Sequence, residues 1–77
     1  MQDSAHKKMN KSEIGRHIKE MRMHLGITQK DLAEISEVSL RSLVDIEAGK
    51  ANPGFDQLQR IVETLGMEIL IKVKKYE

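Results

Sequence analysis

The chain has 77 residues, 39% of them hydrophobic, with no cysteine, one proline and a formal net charge of +1. That length holds one small domain, which buries only about 60% of its unfolded surface. Without cysteine neither a disulfide nor a thiolate zinc site can staple it, so a partner chain is the staple to look for.

The longest apolar run, Ile69-Leu70-Ile71, is far too short to span a bilayer. The first ten residues are polar and lack the apolar core of a signal peptide, so a cytoplasmic protein without membrane contact is expected. Phe55 and Tyr76 are the sole aromatic residues, which leaves no stacking platform for unpaired bases and argues against single-strand or RNA recognition. The charge is unevenly spread: residues 1–26 carry a net +3, residues 27–54 a net −2, and residues 55–77 balance. Any affinity for a polyanion must therefore come from local placement and from doubling in a dimer.

Residues 1–10 read as a flexible basic arm. Asn10 is placed to cap a first helix, with Glu13 three residues on, and Ile14, Ile18, Met21 and Leu25 form one buried stripe. Gly26 is the stop signal. Gly15, inside the helix, costs about 1 kcal/mol relative to alanine, which suggests a close approach by a neighbouring element. Thr28 caps a second, short helix with Leu32, Ala33 and Ile35 expected inward. Ser39 caps a third, carrying Leu43 and Ile46 inward and ending at Gly49. The Gly49 to Gly54 stretch, with Asn52 and Pro53, is a loop. A fourth helix, from about Phe55 to Leu65, buries Leu58, Ile61, Val62 and Leu65 and stops at Gly66.

Beyond Gly66 the period changes to two. Met67, Ile69, Ile71 and Val73 alternate with Glu68, Leu70, Lys72 and Lys74, the pattern of a half-buried strand. A lone strand leaves backbone donors and acceptors unsatisfied, and no second strand exists in the sequence. The economical solution is the same strand of a second chain, paired antiparallel about a two-fold axis. Residues 67–77, with Ile69, Leu70, Ile71 and Val73, are thus assigned as a dimerisation strand and tail. The alternative is that the fourth helix simply runs on.

Two short capped helices in immediate succession make a helix-turn-helix arrangement. Its window reads GITQKDLAEISEVSLRSLVDIEAGK, residues 26–50. Ala33 is small where the third helix must cross the second, and Val38, Leu43 and Ile46 point into the wedge between helices. Leu40, Arg41, Val44 and Asp45 remain outward, and an exposed leucine and valine beside an arginine read as a contact surface.

Thr28-Gln29, Leu32-Ala33, Val38-Ser39, Leu43, Ile46-Glu47 and Gly49 together resemble the Xre family of phage-repressor helix-turn-helix domains, and with the terminal strand the chain is similar to HipB-type antitoxins. The resemblance covers roughly residues 12–74. It implies a mainly α fold, a four- to five-helix lambda-repressor-like domain over residues 11–66 with a C-terminal β-strand pairing across a homodimer. It further implies that the third helix enters the major groove of double-stranded DNA at a palindromic operator. Carried over by position, Leu40, Arg41, Val44 and Asp45 are the base-contacting residues. Arginine reads guanine through O6 and N7, Leu40 can press on a thymine methyl, and Asp45 can accept from a cytosine amino group or merely orient Arg41.

Phosphate contacts are expected from Gln29, Lys30, Ser39, Ser42 and Lys50, the first two at a helix N-terminus that favours an anion. Arg22 and Glu47 occupy positions where the family places a buried ion pair. The sequence departs from the family at Glu37, where glycine is usual in the turn; a left-handed backbone there costs a side-chain-bearing residue about 1 kcal/mol. A HipB-like role implies autorepression and a HipA-like kinase toxin as a further partner. The competing reading is a pure protein-binding module that holds a toxin or regulator without specific DNA binding, favoured by the net −2 of residues 27–54. No cofactor, metal or catalytic role is expected: His6, His17 and His24 are the histidines, and His17 and His24 stand two helical turns apart, too far to share one metal.

Overall fold

A computed structural model describes residues 9–74. Within them the chain forms four helices: α1 (Lys11–Leu25), α2 (Gln29–Ser36), α3 (Leu40–Glu47) and α4 (Phe55–Thr64). Each start is set by a local signal. The Asn10 side chain accepts from the Glu13 amide. Thr28 and Asp31 form a reciprocal capping box, and the Ser39 hydroxyl accepts from the Ser42 amide. These caps satisfy amides that have no partner inside their own helices.

The core is built from Ile18 of α1, Leu32 and Ala33 of α2, Leu43 and Ile46 of α3, and Ile61 and Leu65 at the end of α4. Ile14, Met21, Ile27, Val38, Leu58 and Met67 pack around it, partly buried. Helix α3 rests on α1 and α2, and α4 closes over α2. Gly15 marks the tightest crossing. A Cβ built there collides with the backbone carbonyl of Ile46 and lies 3.0 Å from that of Glu47. The missing side chain at Gly15 is thus what lets α1 lie directly on the end of α3.

Two apolar residues leave their expected places. Leu25 is half exposed, because it occupies the last turn of α1 beyond the core, and Ile27 folds back after the turn to fill that space. Ile35 is 63% exposed, and Ser36 is the buried residue in its stead, at 2%. Leu32, Ala33 and Ser36 define the inward stripe of this short helix, one turn at a time, and Ile35 falls outside it.

The tail differs from the expected strand. Helix α4 ends at Thr64, Gly66 takes a left-handed φ of 77°, and residues 67–74 form neither helix nor strand. The helix does not run on. Of the assigned strand residues, Ile69 is half buried, whereas Leu70, Ile71 and Val73 are 70%, 94% and 93% exposed. The physical reason is the one that made the strand intermolecular: a single chain offers its backbone nothing to pair with. The basic arm assigned to residues 1–10 lies almost wholly outside the described residues, as do residues 75–77. Among the described residues, no helix is long and apolar enough to cross a membrane.

Candidate nucleic-acid interface

The connection between α2 and α3 sets the angle at which α3 is presented. It is three residues long, and Glu37 sits at φ 61° and ψ 42°, the one non-glycine residue with positive φ among those described. Its amide donates to the carbonyls of Ala33 and Glu34, and the Val38 amide donates to Ala33. Ser39 then starts α3 in extended backbone. A left-handed residue followed by a cap is what turns the chain sharply enough for α3 to cross α2.

The turn is also held from outside. The Arg60 Nε of α4 donates to the Ser36 carbonyl at 3.0 Å, the buried Ser36 hydroxyl donates to Thr64 Oγ1 at 3.1 Å, and that hydroxyl donates to the Arg60 carbonyl at 2.8 Å. The end of α2 is therefore tied to the last turn of α4. Sequence reasoning missed this circuit. The signal for it was a serine at the inward i+4 position from Leu32.

At its far end α3 is anchored by a buried carboxylate. Glu47 accepts from Arg22 Nε at 2.7 Å, from Arg22 Nη2 at 3.1 Å and from Gln29 Nε2 at 3.1 Å. Arg22 Nη1 also donates to the Ile27 carbonyl at 2.9 Å. The Glu47 side chain is 2% exposed and that of Arg22 12%. One charge pair thus joins α1, the loop after it, the start of α2 and the end of α3. Gln29, assigned to phosphate, donates from its side-chain amide to this network. Its place at the first position of α2 still leaves its backbone at that helix's N-terminus.

What α3 turns outward is a mixed face. Leu40 is 46% and Val44 38% exposed. Arg41 is more exposed still, its side chain 89% accessible, with its Nε 3.8 Å from the Asp45 carboxylate one turn on. The remaining assigned residues surround the helix start and finish. The Ser39 hydroxyl donates to that of Ser42 at 2.8 Å, so this pair is joined to itself at the N-terminus of α3. Lys30 is exposed on the first turn of α2, and Lys50 is exposed just past Gly49. The structure therefore brings together Arg22 with Glu47 and Gln29, Ser39 with Ser42, and Arg41 with Asp45.

A short helix locked at both ends, crossed over another short helix and showing its free face to solvent, defines a helix-turn-helix module of the DNA-binding kind. The sequence profile of the helix-turn-helix family matches residues 18–71, and the chain belongs to that family, in its Xre-type branch.

Relatives agree. The chain is 33% identical over 52 residues to the HTH-type transcriptional regulator DdrOP3 of Deinococcus deserti, a match spanning 68% of this chain and 40% of that protein. It is 33% identical over 58 residues to the uncharacterized HTH-type transcriptional regulator y4mF of Sinorhizobium fredii, covering 75% and 76% of the two. The immunity repressor of Bacillus phage phi105 is 34% identical over 56 residues, covering 73% of this chain and 39% of the repressor. The chain thus spans about two fifths of the length of DdrOP3 and of the phage repressor. Among solved structures, the clp gene regulator ClgR of Corynebacterium glutamicum superposes with a TM-score of 0.74 at 26% identity over 79% of this chain and 65% of its own. The restriction-modification controller C.AhdI of Aeromonas hydrophila gives 0.72 at 22% identity over 75% and 88%, a likeness of fold.

Proposed function

We propose that this protein is a sequence-specific regulator that binds a palindromic operator in double-stranded DNA as a homodimer and represses its own gene. Residues 11–66 supply the DNA-binding domain, residues 67–77 the dimerisation segment, and residues 1–10 a basic arm. The observation that carries the reading is the outward face of α3, where Leu40, Arg41 and Val44 stand exposed and Asp45 partly so, on a helix whose other side is fixed by buried contacts. Lys30, Ser39, Ser42, Lys50 and the backbone amides at the start of α2 and α3 take the phosphates.

The Ile69, Leu70, Ile71 and Val73 tail pairs with its copy in a second chain. Leu70 is 70% exposed and Ile71 and Val73 are almost wholly so, an apolar stretch that a partner chain would cover. Two-fold pairing sets the distance between the two reading helices, which must meet half-sites about 34 Å apart. A HipA-like kinase toxin as a further partner follows from the likeness to HipB-type antitoxins, and it is compatible with DNA binding because it uses another surface. The protein acts in the cytoplasm, on nucleoid DNA.

The test is a gel shift on the DNA upstream of the protein's own gene, repeated across salt. Binding that weakens steeply with salt and loses base preference on Arg41→Ala supports the reading. No retention of any duplex, together with affinity for a neighbouring gene product that survives Arg41→Ala, overturns it in favour of a protein-binding module.

A further inference from the structure

The alternation of the tail has one exception. Met67, Ile69, Ile71 and Val73 form its apolar series and Glu68, Lys72 and Lys74 its polar one, yet Leu70 stands in the polar series, midway between Glu68 and Lys72. Met67 packs against the helical core and Ile69 is half buried, whereas Leu70 is 70% exposed. Glu68 and Lys72 are exposed as well, and no ion pair joins either of them to another described residue. An acid, a leucine and a base at a spacing of two therefore all face solvent.

Such a triplet is its own complement when read backwards. Residues directly opposite in an antiparallel pair share a face, so a two-fold axis between two copies must fall level with one residue, which then faces itself. With the axis at Leu70, each Glu68 lies opposite a Lys72, each Ile69 opposite an Ile71, and each Met67 opposite a Val73. Every pair is then apolar with apolar or acid with base. An axis at Ile69 sets Glu68 against Leu70, and one at Ile71 sets Leu70 against Lys72. Axes at Glu68 or Lys72 bring like charges face to face, which destabilises a strand pair as opposite charges stabilise it.

Resting on the dimer proposed above, we propose that the two tails pair in a single register with the two-fold axis at Leu70, and that the Glu68–Lys72 pairs flanking it select a second copy of this chain as the partner. Met67, Ile69, Ile71 and Val73 of both copies then make one apolar face of the ribbon, continuous through Met67 with each helical core. A related chain whose acid and base stand elsewhere in the tail meets mismatched neighbours and is refused.

The experiment follows the full chain by sedimentation equilibrium. Glu68→Lys and Lys72→Glu each set like charges together on both sides of the axis, and each weakens the dimer about ten-fold. Mixing the two variants restores association as a heterodimer, because the acids of one chain face the bases of the other. The chain has no cysteine, so an introduced one reports the register directly. Oxidation links Leu70→Cys to its own copy, and links Ile69→Cys to Ile71→Cys in a mixture but neither to itself, since their like positions lie too far apart to bridge. Melting curves check that each variant is folded. A dimer that tolerates both charge variants, a mixture no more associated than its components, or self-linking at Ile69→Cys or Ile71→Cys in place of Leu70→Cys overturns the register while leaving the dimer. A parent chain that sediments as a monomer overturns the dimer and this proposal with it.

Discussion

Glu37 holds a backbone conformation that glycine adopts without penalty, at φ 61°. Removing its side chain relieves about 1 kcal/mol, so Glu37→Gly is expected to raise the melting temperature by about 4–8 °C in a thermal scan. Gly15 is the reverse case. The smallest addition, Gly15→Ala, drives a methyl into the Ile46 carbonyl and forces α1 away from α3. Urea unfolding is expected to show a loss of about 1–3 kcal/mol, in contrast to the gain that alanine gives at an open helical site. Glu47 stands between these in the core. Glu47→Ala leaves the Arg22 guanidinium buried without its counter-charge and frees Gln29 as well, a loss of about 3–5 kcal/mol. That is comparable to the whole stability of a domain this small, so a largely unfolded chain at 37 °C is the expected circular-dichroism result. A melting temperature unchanged from that of the parent would show the pair to be dispensable.

Helix α3 divides its duties by face, and its substitutions are expected to divide likewise. Arg41→Ala should flatten the difference between operator and unrelated duplex, leaving a weaker, salt-sensitive attraction. Lys30→Ala should lower affinity for all duplexes alike and reduce the salt slope by about one, as loss of a single phosphate contact does. Fluorescence anisotropy at several salt concentrations separates the two patterns. How far α1 to α4 were legible beforehand follows from the range of the signals. Asn10, Thr28 and Ser39 act on amides three residues away, so their caps could be read from neighbours alone. The close approach at Gly15 was legible because a glycine inside a strong helix is otherwise a cost. Leu25 and Ile35 were misplaced because their surroundings depend on where the next helix crosses, which no window around them contains. The bond from the Gln29 side chain to a carboxylate 18 residues on was not legible, because no local window contains both partners.

On the proposed reading, the tail is a piece of a larger assembly. Its alternation of apolar and polar residues was plain, but the strand it implies needs a second backbone, and a single chain cannot display it. The parent is expected to run as a dimer in light scattering, and a chain truncated after Gly66, or Ile71→Lys, as a monomer. A truncated chain that stays dimeric would locate the two-fold contact elsewhere. Because the proposed dimer engages two half-sites together, loss of it should also weaken operator binding far more than it weakens folding. The Arg60, Ser36 and Thr64 circuit makes this more than a tether: the last turn of α4, from which the tail departs, is bonded to the end of α2 beside the turn into α3.

One consequence of the Glu47 network concerns how such a molecule changes what it reads. The side chains of Leu40, Arg41, Val44 and Asp45 take no part in the bonds that fasten their helix to the rest of the chain, which run through Glu47 and the buried flank. On the proposed reading, foldedness and address are therefore written in different residues. New side chains at those four positions can retarget the protein to another stretch of genome without renegotiating its architecture, and a gene duplicate needs few substitutions to stop competing with its parent.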